Sequence, residues 1–219
     1  MNRLALFDCD GTLVDSQANI CRAMEDCFDR AKLDPPSRDA TRRVVGLSLV
    51  EAMRAMLPGA DPDLHHALAE DYKLAFHRLR DNGLVDEPLY AGVAETLAAL
   101  DEAGWLLGVA TGKSDRGLSL CLERHGIAPH FVTLQTADRH PSKPHPAMIE
   151  AALAETGTEP GQGMMIGDTS YDIMMAKAAG VTAVGVAWGY HEREELLAAG
   201  ADYIAEHPSD IVGLIKAFA

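Results

Sequence analysis

Asp8 and Asp10 stand two residues apart in Asp8-Cys9-Asp10-Gly11-Thr12-Leu13-Val14-Asp15-Ser16, directly behind the apolar run Leu4-Ala5-Leu6-Phe7. If the chain bends at Gly11, both carboxylates reach one crevice. Three further polar groups follow later apolar runs: Thr111 with Gly112, Lys143 between prolines, and Asp168 with Asp172. Together they suggest phosphoryl transfer. A carboxylate nucleophile would form an acyl phosphate, and Thr111, the Gly112 backbone N–H and Lys143 would supply positive charge and donors to the phosphoryl oxygens.

Electrostatics adds a requirement. Asp8, Asp10, Asp168 and Asp172 bring up to four negative charges beside a phosphate, with Lys143 as the main counter-charge. Each like-charge pair at ~4 Å costs on the order of 4 kcal/mol at an effective dielectric of 20. A hard divalent cation relieves this, and oxygen-only ligands select Mg²⁺ over zinc.

The elements must then bring residues 8 to 172 to one edge. Residues 3 to 8 read as a buried strand, because continuous apolar residues mark a strand covered on both faces. From Ser16 the pattern turns helical: a helix to about Leu33, a second from Ser37 to Val45, a third from Ser48, and a fourth from Asp61-Pro62 to about Arg80. Ser48-x-x-Glu51 has capping-box spacing. No strand is expected between residues 16 and 88. After Tyr90, helices alternate with strands near 105–110, 131–134, 164–166 and 181–186, the pattern of a parallel sheet with right-handed crossovers. The expected fold class is α/β, a doubly wound Rossmann-like parallel sheet with an inserted all-helical subdomain. The expected boundaries are 1–15 and 89–219 for the α/β core and 16–88 for the insertion. Ligand sites in such sheets gather at the C-terminal ends of the strands.

The 219 residues carry 19 basic against 33 acidic side chains, a net charge of −14, which disfavours nucleic acid and anionic membranes as partners. No apolar stretch approaches the ~18–20 residues of a membrane span, and a cytoplasmic location is expected. Cys9, Cys21, Cys27 and Cys121 match neither a zinc site nor a disulfide framework. The pairs Met164-Met165 and Met174-Met175 read as core. Nothing in the sequence decides between a monomer and a homodimer.

Over essentially its whole length the chain resembles the haloacid dehalogenase superfamily of hydrolases, in its phosphoglycolate-phosphatase-like branch. The family's first motif is Asp8 to Thr12, its second Thr111, its third Lys143-Pro144, and its fourth Gly167-Asp168-Thr169 with Asp172. The resemblance implies that Asp8 is the nucleophile and Asp10 the general acid/base. It implies Mg²⁺ held by the Asp8 carboxylate, the Asp10 backbone carbonyl and Asp168, with Asp172 as ligand or neighbour. It also implies that the helical insertion is a mobile cap that selects the substrate, a small phosphorylated metabolite such as 2-phosphoglycolate.

Taken singly, these residues also have plainer uses. Asp8 and Asp10 suit a turn, Thr111 a helix cap, Lys143 a solvated loop, and Asp172 a helix surface. Within the insertion, Arg43, Arg42 and Gly46-Leu47-Ser48 are candidates to touch the substrate, as are Lys113 and Trp188-Gly189-Tyr190 at strand exits. His140 and His145 suit loop packing. One departure stands out: Gly112 follows Thr111 where phosphoglycolate phosphatases commonly carry Asn. A nucleotidase or pyrophosphatase shares this chemistry. A sugar-phosphate mutase fits less well, with Leu49 in place of an arginine. A phosphorylation-controlled receiver module would be shorter and would carry its acceptor on a middle strand.

Overall fold

The computed structural model describes residues 2–215. The run Leu4–Phe7 is strand β1, and all four residues are buried because the strand is covered on both faces. Four helices follow: α1 (Gln17–Arg30), α2 (Arg38–Arg43), α3 (Leu49–Met56) and α4 (Pro62–Asp81). Alternation then begins with α5 (Val93–Glu102), β2 (Leu106–Thr111), α6 (Asp115–Arg124), β3 (Phe131–Thr136) and α7 (Ala147–Thr156). It continues through β4 (Gly163–Gly167), α8 (Ser170–Ala179), β5 (Thr182–Val186), α9 (Arg193–Ala198), β6 (Tyr203–Ala205) and α10 (Pro208–Ile215).

The six strands form one sheet in the order β3-β2-β1-β4-β5-β6, and every pairing is parallel. This is the α/β class expected from the alternating pattern. β1 lies between β2 and β4, so the chain after Phe7 emerges between the ends of its two neighbours, where the strand order reverses. Successive β1 side chains point to opposite faces. Ala5 and Phe7 join Leu97, Leu118 and Ile211 in one core layer, and Leu4 and Leu6 join Ile149, Ile173 and Leu196 in the other.

Helices α1 to α4 enclose a third apolar cluster that includes Met24, Phe28, Met53, Leu68 and Tyr72. The chain leaves and rejoins the sheet through two touching segments. Val14 bridges Leu89 in antiparallel fashion, Asp15 N–H donates to Pro88 O (2.9 Å), and Tyr90 N–H donates to Leu13 O (3.1 Å). Asn19 Nδ2 donates across to Asp86 O.

Two local expectations are corrected. Ser48 caps α3 by position alone, with no side-chain hydrogen bond, because Glu51 turns outward to Arg54 at 2.7 Å instead of back to the helix start. Met174 is 38% exposed on the outer side of α8, while Met164, Met165 and Met175 are buried. Among the described residues, no helix is long and apolar enough to cross a membrane.

Candidate active site

Asp8 is the first residue past β1, fixed there by its N–H donating to Ile166 O of the neighbouring strand (2.9 Å). Beyond it the chain folds sharply. Leu13 and Val14 N–H both donate to Cys9 O, and Gly11 takes φ +89°. Glycine is needed at that point for conformation and for space: a Cβ at residue 11 would stand 2.1 Å from Asp168 Oδ2. The bend therefore presses the first motif against the fourth.

Asp8, Asp168 and Asp172 are fully buried, and one carboxylate oxygen from each lies within 4.8 Å of the others. Lys143 Nζ sits among them with its side chain wholly buried, 2.6 Å from Asp172 Oδ1 and 2.9 Å from Asp8 Oδ1. Asp172 is held at its other oxygen by the Thr169 N–H (3.1 Å) and hydroxyl (2.7 Å), in a capping box at the start of α8. Asp168 is held by the Thr12 hydroxyl (2.8 Å) and the Tyr190 N–H (2.9 Å). Neither Asp8 oxygen accepts a well-aligned hydrogen bond, although both are buried.

Three carboxylates against one ammonium leave, when all are ionised, two surplus negative charges in a buried site. Burial pushes the Asp8 carboxyl up to about 7, with Lys143 opposing and Asp172 and Asp10 reinforcing. Burial, then Asp8 and Asp172, raise Asp168 well above the carboxylate range. For Lys143, burial pulls the ammonium down, but Asp172 and Asp8 carry it above the ordinary lysine range. An all-oxygen donor set with surplus charge and an unpartnered carboxylate suits a hard divalent cation. Asp8 offers the free carboxylate, whereas Asp168 is bonded at both oxygens by the neutral donors Thr12 and Tyr190, and Asp172 by Lys143 and Thr169.

Asp10 does not join this cluster. Its Oδ1 accepts from Ser16 Oγ (2.5 Å) and Lys113 Nζ (2.6 Å). Lys113 also reaches Glu87 Oε1 (3.0 Å), and Ser16 lies 3.2 Å from the Tyr190 hydroxyl. Both bonds fall on Oδ1, and Oδ2 accepts none among the described residues. Asp8, Asp10, Thr111, Gly112 and Lys113 line one side of a cavity of about 180 Å³, and residues of α1, α3, α4 and the α2–α3 loop line the other.

That loop rests on the sheet edge. Ser48 N–H donates to Ser142 Oγ (2.8 Å), and Tyr171 O–H donates to Arg43 O (3.1 Å). A Cβ at Gly112 would stand 2.7 Å from Leu47 O and 2.8 Å from Gly46 O, so the missing asparagine has a steric reason. Arg43 is not brought to the cavity; it is largely exposed and pairs with Glu195 at 2.7 Å. Arg42 approaches Asp39 at 3.7 Å. Trp188 donates to Thr12 O (3.1 Å) and supports the first motif from behind. His140 bonds Gln135 of β3, and His145 accepts from Ala147 N–H at the start of α7, so both tie their loop to its flanking elements.

Lys113 and Tyr190, named from the sequence only as strand-exit residues that touch the substrate, instead support Asp10, Lys113 directly and Tyr190 through Ser16. Glu87 was passed over, because it lies far along the chain and no local pattern points to it. Ser16 sits inside the opening motif, but its register with Asp10 appears only once the chain bends.

A family model described as haloacid dehalogenase-like hydrolase matches residues 5–186. The chain is 35% identical to the probable phosphatase IndB of Dickeya dadantii, covering 99% of this chain and 95% of that protein. It is 32% identical to the pyrophosphatase PpaX of Bacillus pumilus, covering 97% and 95%. The crystal structure of a predicted phosphoglycolate phosphatase from Haemophilus somnus superposes with a TM-score of 0.85 at 25% identity, over 98% of both chains. The protein is therefore a member of the haloacid dehalogenase-like hydrolases, and within them a phosphatase.

Proposed function

We propose that the protein is a Mg²⁺-dependent phosphatase that hydrolyses a small phosphorylated metabolite through a phosphoaspartate on Asp8. One observation carries this reading: a fully buried carboxylate without an aligned hydrogen bond, beside a buried lysine, lines a cavity together with a second carboxylate two residues on.

In the first step an Asp8 oxygen attacks phosphorus, the bond to the leaving oxygen breaks, and protonated Asp10 gives its proton to that oxygen. In the second, Asp10 takes a proton from water as the water attacks phosphorus, which releases phosphate and restores Asp8. Lys143 keeps Asp8 ionised and oriented against the burial that favours its protonated form. Thr111 and the Gly112 N–H face the transferred phosphoryl group. Asp8, Asp168 and the Asp10 backbone carbonyl would hold Mg²⁺, which supplies Lewis-acid charge at the phosphoryl oxygens; Asp172 holds Lys143 in place.

The helical unit of α1 to α4 is the cap. It rests on the sheet edge through Ser48–Ser142 and Tyr171–Arg43, and swinging about the paired segments at Val14 and Leu89 would open the cavity. 2-Phosphoglycolate is the first candidate substrate. Pyrophosphate is the second, supported by the 32% identity to a protein named pyrophosphatase.

Phosphate release from 2-phosphoglycolate, pyrophosphate, nucleotides and sugar phosphates, with and without Mg²⁺, tests the reading. A Mg²⁺-dependent preference that Asp8→Asn abolishes is expected. Release that persists in Asp8→Asn would overturn the phosphoaspartate route.

A further inference from the structure

Lys113 and Glu87 lie outside the carboxylate cluster, and the two steps at phosphorus use neither. Both are nevertheless buried: the Lys113 side chain is 9% exposed and that of Glu87 3%. A buried charge is expensive unless a partner answers it. Lys113 Nζ lies 2.6 Å from Asp10 Oδ1 and 3.0 Å from Glu87 Oε1. A lysine that served only to neutralise Asp10 would need no second carboxylate, and Glu87 would be a surplus charge taken out of water.

Glu87 is not free to drift. Its carbonyl accepts from the His125 ring (2.7 Å), and the Val85 carbonyl accepts from Arg124 (2.7 Å). The Pro88 carbonyl accepts from Asp15 N–H (2.9 Å). The segment returning from the helical unit is thus pinned to the end of α6, and Glu87 belongs to the rigid sheet side. Lys113 follows β2, and its N–H donates to Thr111 Oγ1 (3.2 Å). Across the cavity, the Phe76 ring of α4 lies 5.9 Å from Lys113 Nζ. The ammonium is held by Asp10, by Glu87 and by an aromatic ring of the helical unit.

The geometry at Asp10 says what this holding does. Lys113 and Ser16 both meet Oδ1, so the carboxyl cannot rotate without breaking both bonds. Because Glu87 answers the charge of the lysine, Lys113 meets Asp10 as a donor of fixed direction. A group that passes a proton to the leaving oxygen must stand within hydrogen-bond reach of it, and a misplacement of about 1 Å can cost ~10²-fold in rate. We propose that Glu87 and Lys113 are positioning residues for Asp10. Glu87 fixes the lysine, the lysine fixes Oδ1, and Oδ2 is thereby presented to the leaving oxygen. The inference rests on the phosphatase reading above and deepens it.

The test separates leaving groups that need a proton from one that does not. Acetyl phosphate expels acetate, a stable anion, whereas an alkyl phosphate expels a basic alkoxide that leaves well only when protonated. The alkyl phosphate is 2-phosphoglycolate or a sugar phosphate, whichever the wild type uses better. The ratio of its kcat/KM to that of acetyl phosphate is measured in the wild type, Glu87→Ala, Glu87→Gln, Lys113→Met and the Glu87→Ala/Lys113→Met double variant. kcat/KM covers phosphoaspartate formation, the step in which the leaving oxygen takes its proton, and the ratio cancels any loss of active fraction. Glu87→Ala should lower the ratio about tenfold, and Lys113→Met at least as much. Glu87→Gln keeps the shape and an acceptor, and should retain part of the ratio. Because Glu87 acts through Lys113, the double variant should fall no further than Lys113→Met alone. A ratio unmoved in Glu87→Ala or Lys113→Met, or losses that multiply in the double variant, would overturn the positioning role and leave the phosphatase reading standing. Wild-type turnover of acetyl phosphate but of no alkyl phosphate would also overturn the positioning role, since Asp10 would have no leaving oxygen to protonate. No Mg²⁺-dependent release from acetyl phosphate or from any compound of the wider panel would overturn the phosphatase reading itself.

Discussion

Replacing Lys143 by Met tests the charge balance of the site without opening a cavity. The side chain is wholly buried and, among the described residues, is the only cation placed between Asp8 and Asp172, at 2.9 and 2.6 Å. Removing one partner of a buried ion pair costs about 3–5 kcal/mol, because the other charge stays buried and unmatched. Here two carboxylates lose the same ammonium. Against a domain stability of about 5–15 kcal/mol, the metal-free variant should be severely weakened at pH 7.5. The sign with pH follows from Asp8, whose folded carboxyl titrates near 7 against an ordinary value of 3.8. Without the lysine it rises further, so folding takes up protons that the unfolded chain, with ordinary carboxylates, does not hold. The extra loss should therefore grow as pH rises through and above 7, where Asp8 ionises in the wild type but is still protonated in the variant, and be smaller below 7, where Asp8 is protonated in both folded proteins. Urea unfolding with EDTA at pH 7.5 and pH 5 measures this. Mg²⁺ should then stabilise the variant more than the wild type, since its site carries one more unbalanced negative charge. A loss below about 1 kcal/mol at pH 7.5, or the same loss at both pH values, would refute the electrostatic argument and leave only packing.

Further outcomes follow from the same geometry. Asp10→Asn should lower kcat by roughly 10² to 10⁴ by removing acid/base assistance, with metal binding unchanged by calorimetry because the Asp10 side chain lies outside the carboxylate cluster. Mg²⁺ binding to the wild type near pH 6 should release protons, as Asp8 is drawn from its protonated form. Calorimetry in buffers of different ionisation enthalpy reads the number released, and the part owed to Asp8 should fall away above pH 8. Gly112→Ala should hold the α2–α3 loop off the sheet edge, because the new Cβ meets backbone oxygens at 2.7 and 2.8 Å. A raised KM and faster proteolysis within the helical unit are the expected signs, and unchanged values would mean that the loop yields without cost.

The opening motif and the later strand exits were legible for a physical reason. A strand buried on both faces admits only apolar residues, so a carboxylate or lysine at its end stands out sharply. Asp8, Thr111 and Asp168 were marked in this way, and the parallel sheet brings them together. Asp172 was harder to read, since a helix interior also tolerates acids on its solvent side; its burial depends on Lys143, which arrives from a separate loop. Ser48-x-x-Glu51 misled because Arg54, one turn on, competes for the same glutamate. The anchoring of Asp10 by Lys113 and Glu87 was invisible, since it depends on how the returning segment lies beside the outgoing one. Gly112 looked like a departure from a pattern, and only the position of Leu47 explains it.

The paired segments at Val14 and Leu89 bear on how such a protein can change over generations. Everything between them leaves and returns at points already joined by hydrogen bonds, so the sheet needs no further ordering to accommodate it. Lengthening such an excursion adds little closure entropy, about 0.6 kcal/mol per doubling. New helices or altered linings can be accepted there without disturbing Asp8, Lys143 or Asp168. Selection on what is admitted can thus proceed separately from selection on the bond that is broken. The small ribbon at residues 14 and 89 is the seam along which the two histories come apart.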